Sequence, residues 1–467
     1  MTIIVQQPKD SNGNPQPMVY DSDTKKIIVD SNGYVLNGSS QVLDNVPSLL
    51  SIVNTPKTQT SGLYEGLNYI DSIGGGKIII KDIVYLSASI SITTDNPIII
   101  EGAYQSMTNE FGNLTPKQEI GPTIMVTDDF PTDSFMFTFS PVHQNSGRVE
   151  FRNLTIIGNP TQSSTYSSIA SGIELTSSST SGGEAIPQGC LDHVKFVNVQ
   201  TALYIDETET SGTFFIDHVL ALVSNNFLVA NGTIYIDVAN YGSNSIQNSD
   251  FLITAAYIRM TNIIALSSTN GVFSLSGGAI VNVSSAYFST PTPIGIINSS
   301  FLTLSGLIYE ASGKLMTIQG DSNGSTIISS GVFSALADVQ IFNNSNSGTG
   351  KVLLSDCVFL NNGYTISIGT LGDNTYIENC KGLDLVPTTP SVPTSGTAQE
   401  NTNPYPVNVY IYGGDITEIQ ITRGGTAYTV LSVSTAIAMS GQVYKLNPGD
   451  SITVTYTTAP TWEWLSD

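Results

Sequence analysis

The sequence predicts an all-β chain whose main body is a parallel β-helix. Two observations carry that expectation. A short β phrase returns about every 23 residues up to residue 382, and Ser, Thr, Asn and Gly fill the polar positions where good helix formers would otherwise stand. The phrase reads Phe151-Arg-Asn-Leu-Thr-Ile156, Leu191-Asp-His-Val-Lys-Phe196, Ile216-Asp-His-Val-Leu-Ala221, Met260-Thr-Asn-Ile-Ile-Ala265 and Val283-Ser-Ser-Ala-Tyr-Phe288. It continues through Leu304, Ile328, Leu354 and Ile377. His193 and His218 are 25 residues apart, Asn262 and Ser285 23, Ser285 and Gly306 21, and Asp356 and Asn379 23. Short strands between sharp polar corners, with no helix-length apolar pattern between them, specify a β solenoid rather than a helical one.

Composition narrows the function. The 467 residues carry a formal net charge of −22, from 16 basic and 38 acidic residues. Such a surface repels nucleic acid and anionic lipid, so neither is an expected partner. Sparse charge also suits an acidic habitat, where carboxylates protonate. Three cysteines, Cys190, Cys357 and Cys380, are too few for a disulfide-framed fold. Cys357 and Cys380 occupy equivalent repeat positions, and a stack of buried thiols is expected there. No spacing resembles a zinc site, and no metal or cofactor is expected. The start, Met1-Thr-Ile-Ile-Val5, lacks the basic and apolar regions of a signal peptide, and no apolar run reaches 18 residues, so membrane insertion is not expected. An extracellular composition without an export signal suits a virion protein, or a mature fragment renumbered from an added Met.

The elements follow in order. Residues 1–45 read as small hairpins, with turn clusters at Asp21-Ser-Asp-Thr24 and Asp30-Ser-Asn-Gly33, and form an attachment segment. Residues 46–386 are the β-helix. A capping helix near 61–73 opens it, with Ser61 as N-cap, Leu63, Leu67 and Ile70 on one face, and Gly74 to Gly76 as the stop. Such a helix covers a sheet edge that would otherwise pair with another chain. Residues 103–122 and 157–188 break the period as projecting insertions. A linker, 387–403, contains the run Thr388 to Thr397. Residues 404–467 alternate and turn like a small β-sandwich module.

The stretch from the helix through Gly75-Gly76, Tyr85 and Gly102 resembles the pectate-lyase-like superfamily, in particular its phage tailspike branch. Lys81 to Val84 stand where that branch usually has Pro and Gly before the Tyr. The resemblance covers roughly residues 60–385. It implies a right-handed parallel β-helix with an N-terminal capping helix. The string Leu446 to Trp462 resembles a C-terminal module recurrent in phage and viral structural proteins.

The sharpest chemical constellation is the paired Asp-His phrase. Asp192 and Asp217 fall at equivalent positions, as do His193 and His218. Two stacked carboxylates could act as acid and base on a glycosidic bond or could hold a cation, with Glu207 as a further catalytic candidate. Asn153, Asn262 and Asn379 occupy the histidine slot on other repeats, so a polar ladder at a coil corner is the competing reading. His193, His218, Asp206 and Glu209 are candidate binding residues. Trp462 and Trp464, at alternate positions of one strand, either stack on sugars or fill a core or interface. Three functions remain open. One is a tail-spike or fibre subunit in the virion, or extracellular, binding a host surface polysaccharide or glycoprotein. The resemblance implies a homotrimer joined to other virion tail proteins. The second is a polysaccharide lyase or glycoside hydrolase on the same scaffold. The third is a cellular surface adhesion protein.

Overall fold

The computed structural model describes residues 59–466 except 82, 104–121, 142–146, 159–169, 177–187, 207–211, 223, 267, 291–293, 298–299, 312–315, 319–324, 345–350, 371–374, 384 and 386. Of the first 58 residues it describes the strands Thr2–Val5, Tyr20–Asp21, Lys26–Ile27 and Ser40–Gln41. The last three form a small antiparallel sheet, in line with the expected hairpins. Thr2–Val5 instead pairs in parallel with Gly76–Ile80 and extends the lower edge of the solenoid. The expected boundary at residue 45 lies outside the described residues.

The predicted parallel β-helix is present. Its strands form two sheets, one of 17 strands and one of 11, and every pairing within them is parallel. Each coil has three legs. The first two are the halves of one long strand, as in Gln188–Val197, Thr213–Leu222, Tyr235–Asn244 and Tyr257–Leu266. The third is a short strand such as Thr201–Asp206 or Asn226–Asn231. At the sixth residue of each long strand the backbone enters the left-handed region: Asn153 at φ 54°, His193 at 54°, His218 at 51°, Asn240 at 51°, Asn262 at 57°, Ser285 at 62° and Gly306 at 68°. Ser330, Asp356 and Asn379 continue the row. Glycine, asparagine and other short polar residues tolerate this conformation where branched residues do not, which is why the repeat shows them there. The corner also swaps the alternation. In Tyr257–Leu266 the second and fourth residues point inward, the fifth and sixth both face solvent, and the seventh resumes the core.

Inward positions form apolar ladders. Phe227, Tyr241, Phe251, Phe273 and Phe288 pack ring on ring, with centroids 4.4 Å apart for Phe227–Tyr241 and 5.6 Å for Phe251–Phe273. Cys357 and Cys380 stand on consecutive coils with both thiols free. Their mutual hydrogen bond raises the Cys357 thiol and lowers that of Cys380. Among the buried carboxyls of the described residues, Asp250 is the most deeply enclosed. Asp250 is fully buried and accepts hydrogen bonds from Tyr241 Oη at 2.6 Å and from Ser268 Oγ. Burial raises the Asp250 carboxyl above the usual Asp range against the opposing pull of its hydroxyl donors.

The capping helix runs from Leu63 to Ser72 and buries Leu63, Leu67 and Ile70, as expected. Its N-cap differs from expectation. Gly62 takes that position at φ 79°, and Ser61 Oγ is engaged at 2.7 Å with the Tyr85 carbonyl instead. The helix stops where Gly74 and Gly75 turn left-handed. A Cβ on Gly75 would lie 2.6 Å from the Pro97 carbonyl, so only glycine permits this approach. Gly102 is fixed by a similar constraint, since a Cβ there would stand 1.9 Å from the Asn153 carbonyl.

The C-terminal module is one five-stranded antiparallel sheet rather than two separate sheets. Val407–Arg423 bends at Gly413 and Gly414. Its first half pairs with Thr461–Ser466 and its second with Ser451–Thr458. The linker is laid along this module rather than left free. Ala398–Glu400 joins the sheet, and Ile377 N donates to the Pro404 carbonyl at 2.6 Å across the last coil.

Two outcomes are expected. Asn262→Val forces a branched side chain to φ 57° and costs about 1–3 kcal/mol in urea unfolding, whereas Asn262→Gly costs far less. Equal costs would contradict the corner argument. For Asp250, a folded pKa above the unfolded one means its stabilisation is complete below the ordinary Asp range and is lost as pH rises through the folded value. Melting profiles across pH 3–8 therefore fall less steeply for Asp250→Asn than for the wild type. Parallel profiles would contradict the assignment.

Candidate functional site

The left-handed corner brings the two Asp-His phrases together. Asp192 and Asp217 are direct register partners on neighbouring strands. His193 and His218 follow at their corners with rings stacked 4.4 Å apart and 6° from parallel. Each histidine holds its own aspartate through Nδ1, at 2.6 Å in the first pair and 2.9 Å in the second. The row then continues as an amide ladder. Asn240 Nδ2 donates to Asp217 Oδ1 at 2.9 Å, and Asn262 Nδ2 donates to Asn240 Oδ1 at 3.1 Å. Asn379 donates to Asp356 in the same way further along. The polar-ladder reading thus describes the contacts, and the aspartates in it are also solvent-facing. Cys190, two residues before Asp192, has its thiol pushed up to about 11 by burial and by the carboxylates of Asp192 and Glu150.

The other candidates do not join this pair. Asp206 ends the third leg of its coil, half-buried, in register with Thr176 and Asn231. The whole first leg of the next coil, Thr213 to Asp217, separates its corner from the aspartate pair, roughly 13 Å of strand. Glu207 and Glu209 lie outside the described residues, as does Glu184. Glu174 sits on the same sheet as Asp206 and accepts from Thr138 Oγ1 at 2.8 Å. Of the two alternatives for Trp462 and Trp464, the burial of both side chains favours the core. Both are buried, with ring centroids 5.8 Å apart, and Trp462 Nε1 donates to the Pro390 carbonyl at 2.7 Å. The linker also bonds this strand through Thr389 Oγ1, which accepts from Trp464 N at 3.0 Å.

Sequence reasoning missed a set of aromatics on the same flank as Asp192 and Asp217. Tyr235 and Tyr257 open consecutive coils, 50% and 41% exposed, with ring centroids 5.3 Å apart. Ile280 and Phe301 extend the column, and Phe215 stands exposed one column inward. Between the aromatics and the corner row lie Asp237 and Arg259, joined by two hydrogen bonds of 2.9 Å, and Asn282, which reaches the Tyr257 hydroxyl at 3.4 Å. The available signal was the 22-residue spacing of Tyr235 and Tyr257, which matches the repeat. The coil that begins at Tyr235 carries Ala239-Asn240 at its corner and was not recognised as a copy of the phrase.

A concavity of about 440 Å³ lies between the last coils and the C-terminal module. Ser325, Lys351, Tyr376, Glu378 and Asn447 are among its lining residues.

No known family model matches the sequence, and neither does any curated protein sequence. Among solved structures, the chain is similar to a DFA-IIIase from Arthrobacter chlorophenolicus, with 15% identity, a TM-score of 0.43, and coverage of 68% of this chain and 95% of that one. It is similar to the A-module of a mannuronan C-5 epimerase from Azotobacter vinelandii, at 10% identity and TM-score 0.40, covering 70% and 95%. It is also similar to the tailspike of E. coli bacteriophage HK620 in complex with a pentasaccharide, at 12% identity and TM-score 0.37, covering 86% and 88%.

Trp462→Ala is expected to lower unfolding free energy by about 3–5 kcal/mol. A urea titration followed by near-UV circular dichroism reads the loss. A cost under about 1 kcal/mol would return Trp462 to an exposed role.

Proposed function

We propose that this chain is an attachment protein of the tail-spike or fibre type, which binds a host surface glycan along the flank of its solenoid. The observation that carries the reading is the exposed pair Tyr235 and Tyr257 on adjoining coils. Pyranose rings present C–H faces that pack on aromatic faces. Aromatics repeating at the coil spacing of about 4.8 Å offer one platform after another to a chain running along the solenoid. The neighbouring Asp237, Arg259, Thr261 and Asn282 supply donors and acceptors for sugar hydroxyls. A net charge of −22 disfavours the polyanionic partners that a nucleic-acid or lipid reading would require. The rod form and the sequence resemblance support a trimeric virion protein. The exposed aliphatic residues Ile264, Ile308, Val358 and Leu360 on the second legs would be its subunit contacts.

One observation favours the enzymatic reading as an alternative. Asp192 and Asp217 are register partners, so their backbones stand one strand spacing apart, about 4.8 Å. A retaining glycosidase needs two carboxyl groups roughly 5–5.5 Å apart, and adjoining strands are a scaffold on which such a pair can be mounted. Against it, each carboxylate already engages its own histidine, and Asp217 also accepts from Asn240.

Binding of purified host-envelope polysaccharide, followed by biolayer interferometry, tests both. Tyr257→Ala is expected to weaken it about tenfold, or about 1.4 kcal/mol, while Asp217→Asn binds as the wild type does. Wild-type affinity in both Tyr235→Ala and Tyr257→Ala would overturn the attachment flank. Release of oligosaccharides that Asp217→Asn abolishes would favour the enzyme.

A further inference from the structure

We propose that His193 and His218 are the ligands of a divalent transition-metal site at the corner of two consecutive coils, with Asp192 and Asp217 as positioning residues behind them. The proposal does not depend on the glycan reading. Their positions are fixed by backbone, since both histidines occupy the left-handed corner and the strands that lead to them are in register. The two rings lie 4.4 Å apart and 6° from parallel. Each Nδ1 is held by the preceding aspartate, at 2.6 and 2.9 Å. A neutral imidazole so held carries its proton on Nδ1, and its Nε2 then bears the lone pair, a donor for a metal ion. A carboxylate on the far nitrogen is the arrangement that orients metal-binding histidines and raises their basicity.

One ligand atom from each of Asp192, His193 and His218 lies within 4.8 Å of the others. Metal–nitrogen bonds of about 2.0–2.1 Å require the two ring nitrogens to converge by a tilt of the rings. The side chains are 27% and 46% exposed, so solvent and a dissolved ion reach them. Paired imidazole nitrogens with oxygen donors suit Zn²⁺, Ni²⁺ or Co²⁺ rather than Ca²⁺ or Mg²⁺. Water or a sugar hydroxyl would complete the coordination. Asp192 is in register with Arg152 as well as with Asp217, and Arg152 is already engaged by Glu150. The ligands are 25 residues apart, one full coil, so the repeat brings the pair together although no short metal motif marks it.

The test is a Co²⁺ titration of the full-length protein followed by visible absorption, with thermal melting in Zn²⁺ as a second readout. The expected result is one Co²⁺ per chain, with d–d bands and no thiolate charge-transfer band, and a Zn²⁺-dependent rise in Tm. His193→Asn and His218→Asn should each abolish both signals. Asparagine already forms this corner at Asn153 and Asn240, so these variants keep the fold. Asp217→Asn should weaken Co²⁺ binding about 10–100-fold. Absence of saturable binding, unchanged binding in the two histidine variants, or a thiolate band assigning the ion to cysteine would each overturn the site. Wild-type affinity in Asp217→Asn would overturn the positioning role.

Discussion

The structure depends on one constraint, the in-register stacking of coils through a left-handed corner. Parallel strands on successive coils pair residue for residue, so whatever occupies a position on one coil meets its counterpart on the next. The corner must recur at the same step of each coil, or the alternation that sends apolar residues inward would fail. Asn153, His193, His218, Asn240, Asn262, Ser285 and Gly306 all satisfy that requirement. The side chains from His193 to Asn262, turned outward by the corner, form a polar row. The row is therefore a by-product of folding before it is anything else, and its chemistry depends on which residue each coil places there.

The same register builds the surface proposed to bind glycan. Columns of outward residues turn an irregular sequence into stripes: aromatic along one edge of the flank, amide, carboxylate and imidazole along the other, with the Asp237–Arg259 pair between. A stripe repeating at the strand spacing is matched to a polymeric ligand in a way that a single pocket is not. The imidazole pair interrupts the amide ladder at two coils, where ligand chemistry becomes available to a metal ion without any change in the backbone. The buried Asp250, by contrast, faces inward and affects only stability, through the burial that raises its carboxyl.

Much of the fold was legible because the repeat is written in the residues that the backbone demands. The apolar ladder positions and the short polar corner residues are both constrained, and both recur about every 23 residues. The capping helix was legible through Leu63, Leu67 and Ile70, but its N-cap was not. A left-handed Gly62 displaced Ser61, whose hydroxyl found a distant carbonyl at Tyr85. The site was less legible. Equivalence of His193 and His218 followed from spacing, but the exposed aromatic column did not, because outward positions are free to vary and Tyr235 belongs to a coil whose phrase had drifted. Alternation correctly put Trp462 and Trp464 on one face. Which face was decided by the linker, whose Pro390 carbonyl the sequence gives no means of placing.

The most direct test of the account is a crystal structure of the protein with oligosaccharides prepared from its host's envelope. The account predicts pyranose rings packed on Tyr235 and Tyr257, with the sugar chain running along the coils and its hydroxyls meeting Asp237, Arg259 or Asn282. Sugar bound only in the concavity lined by Lys351, Tyr376 and Asn447, with the aromatic column bare, would contradict it.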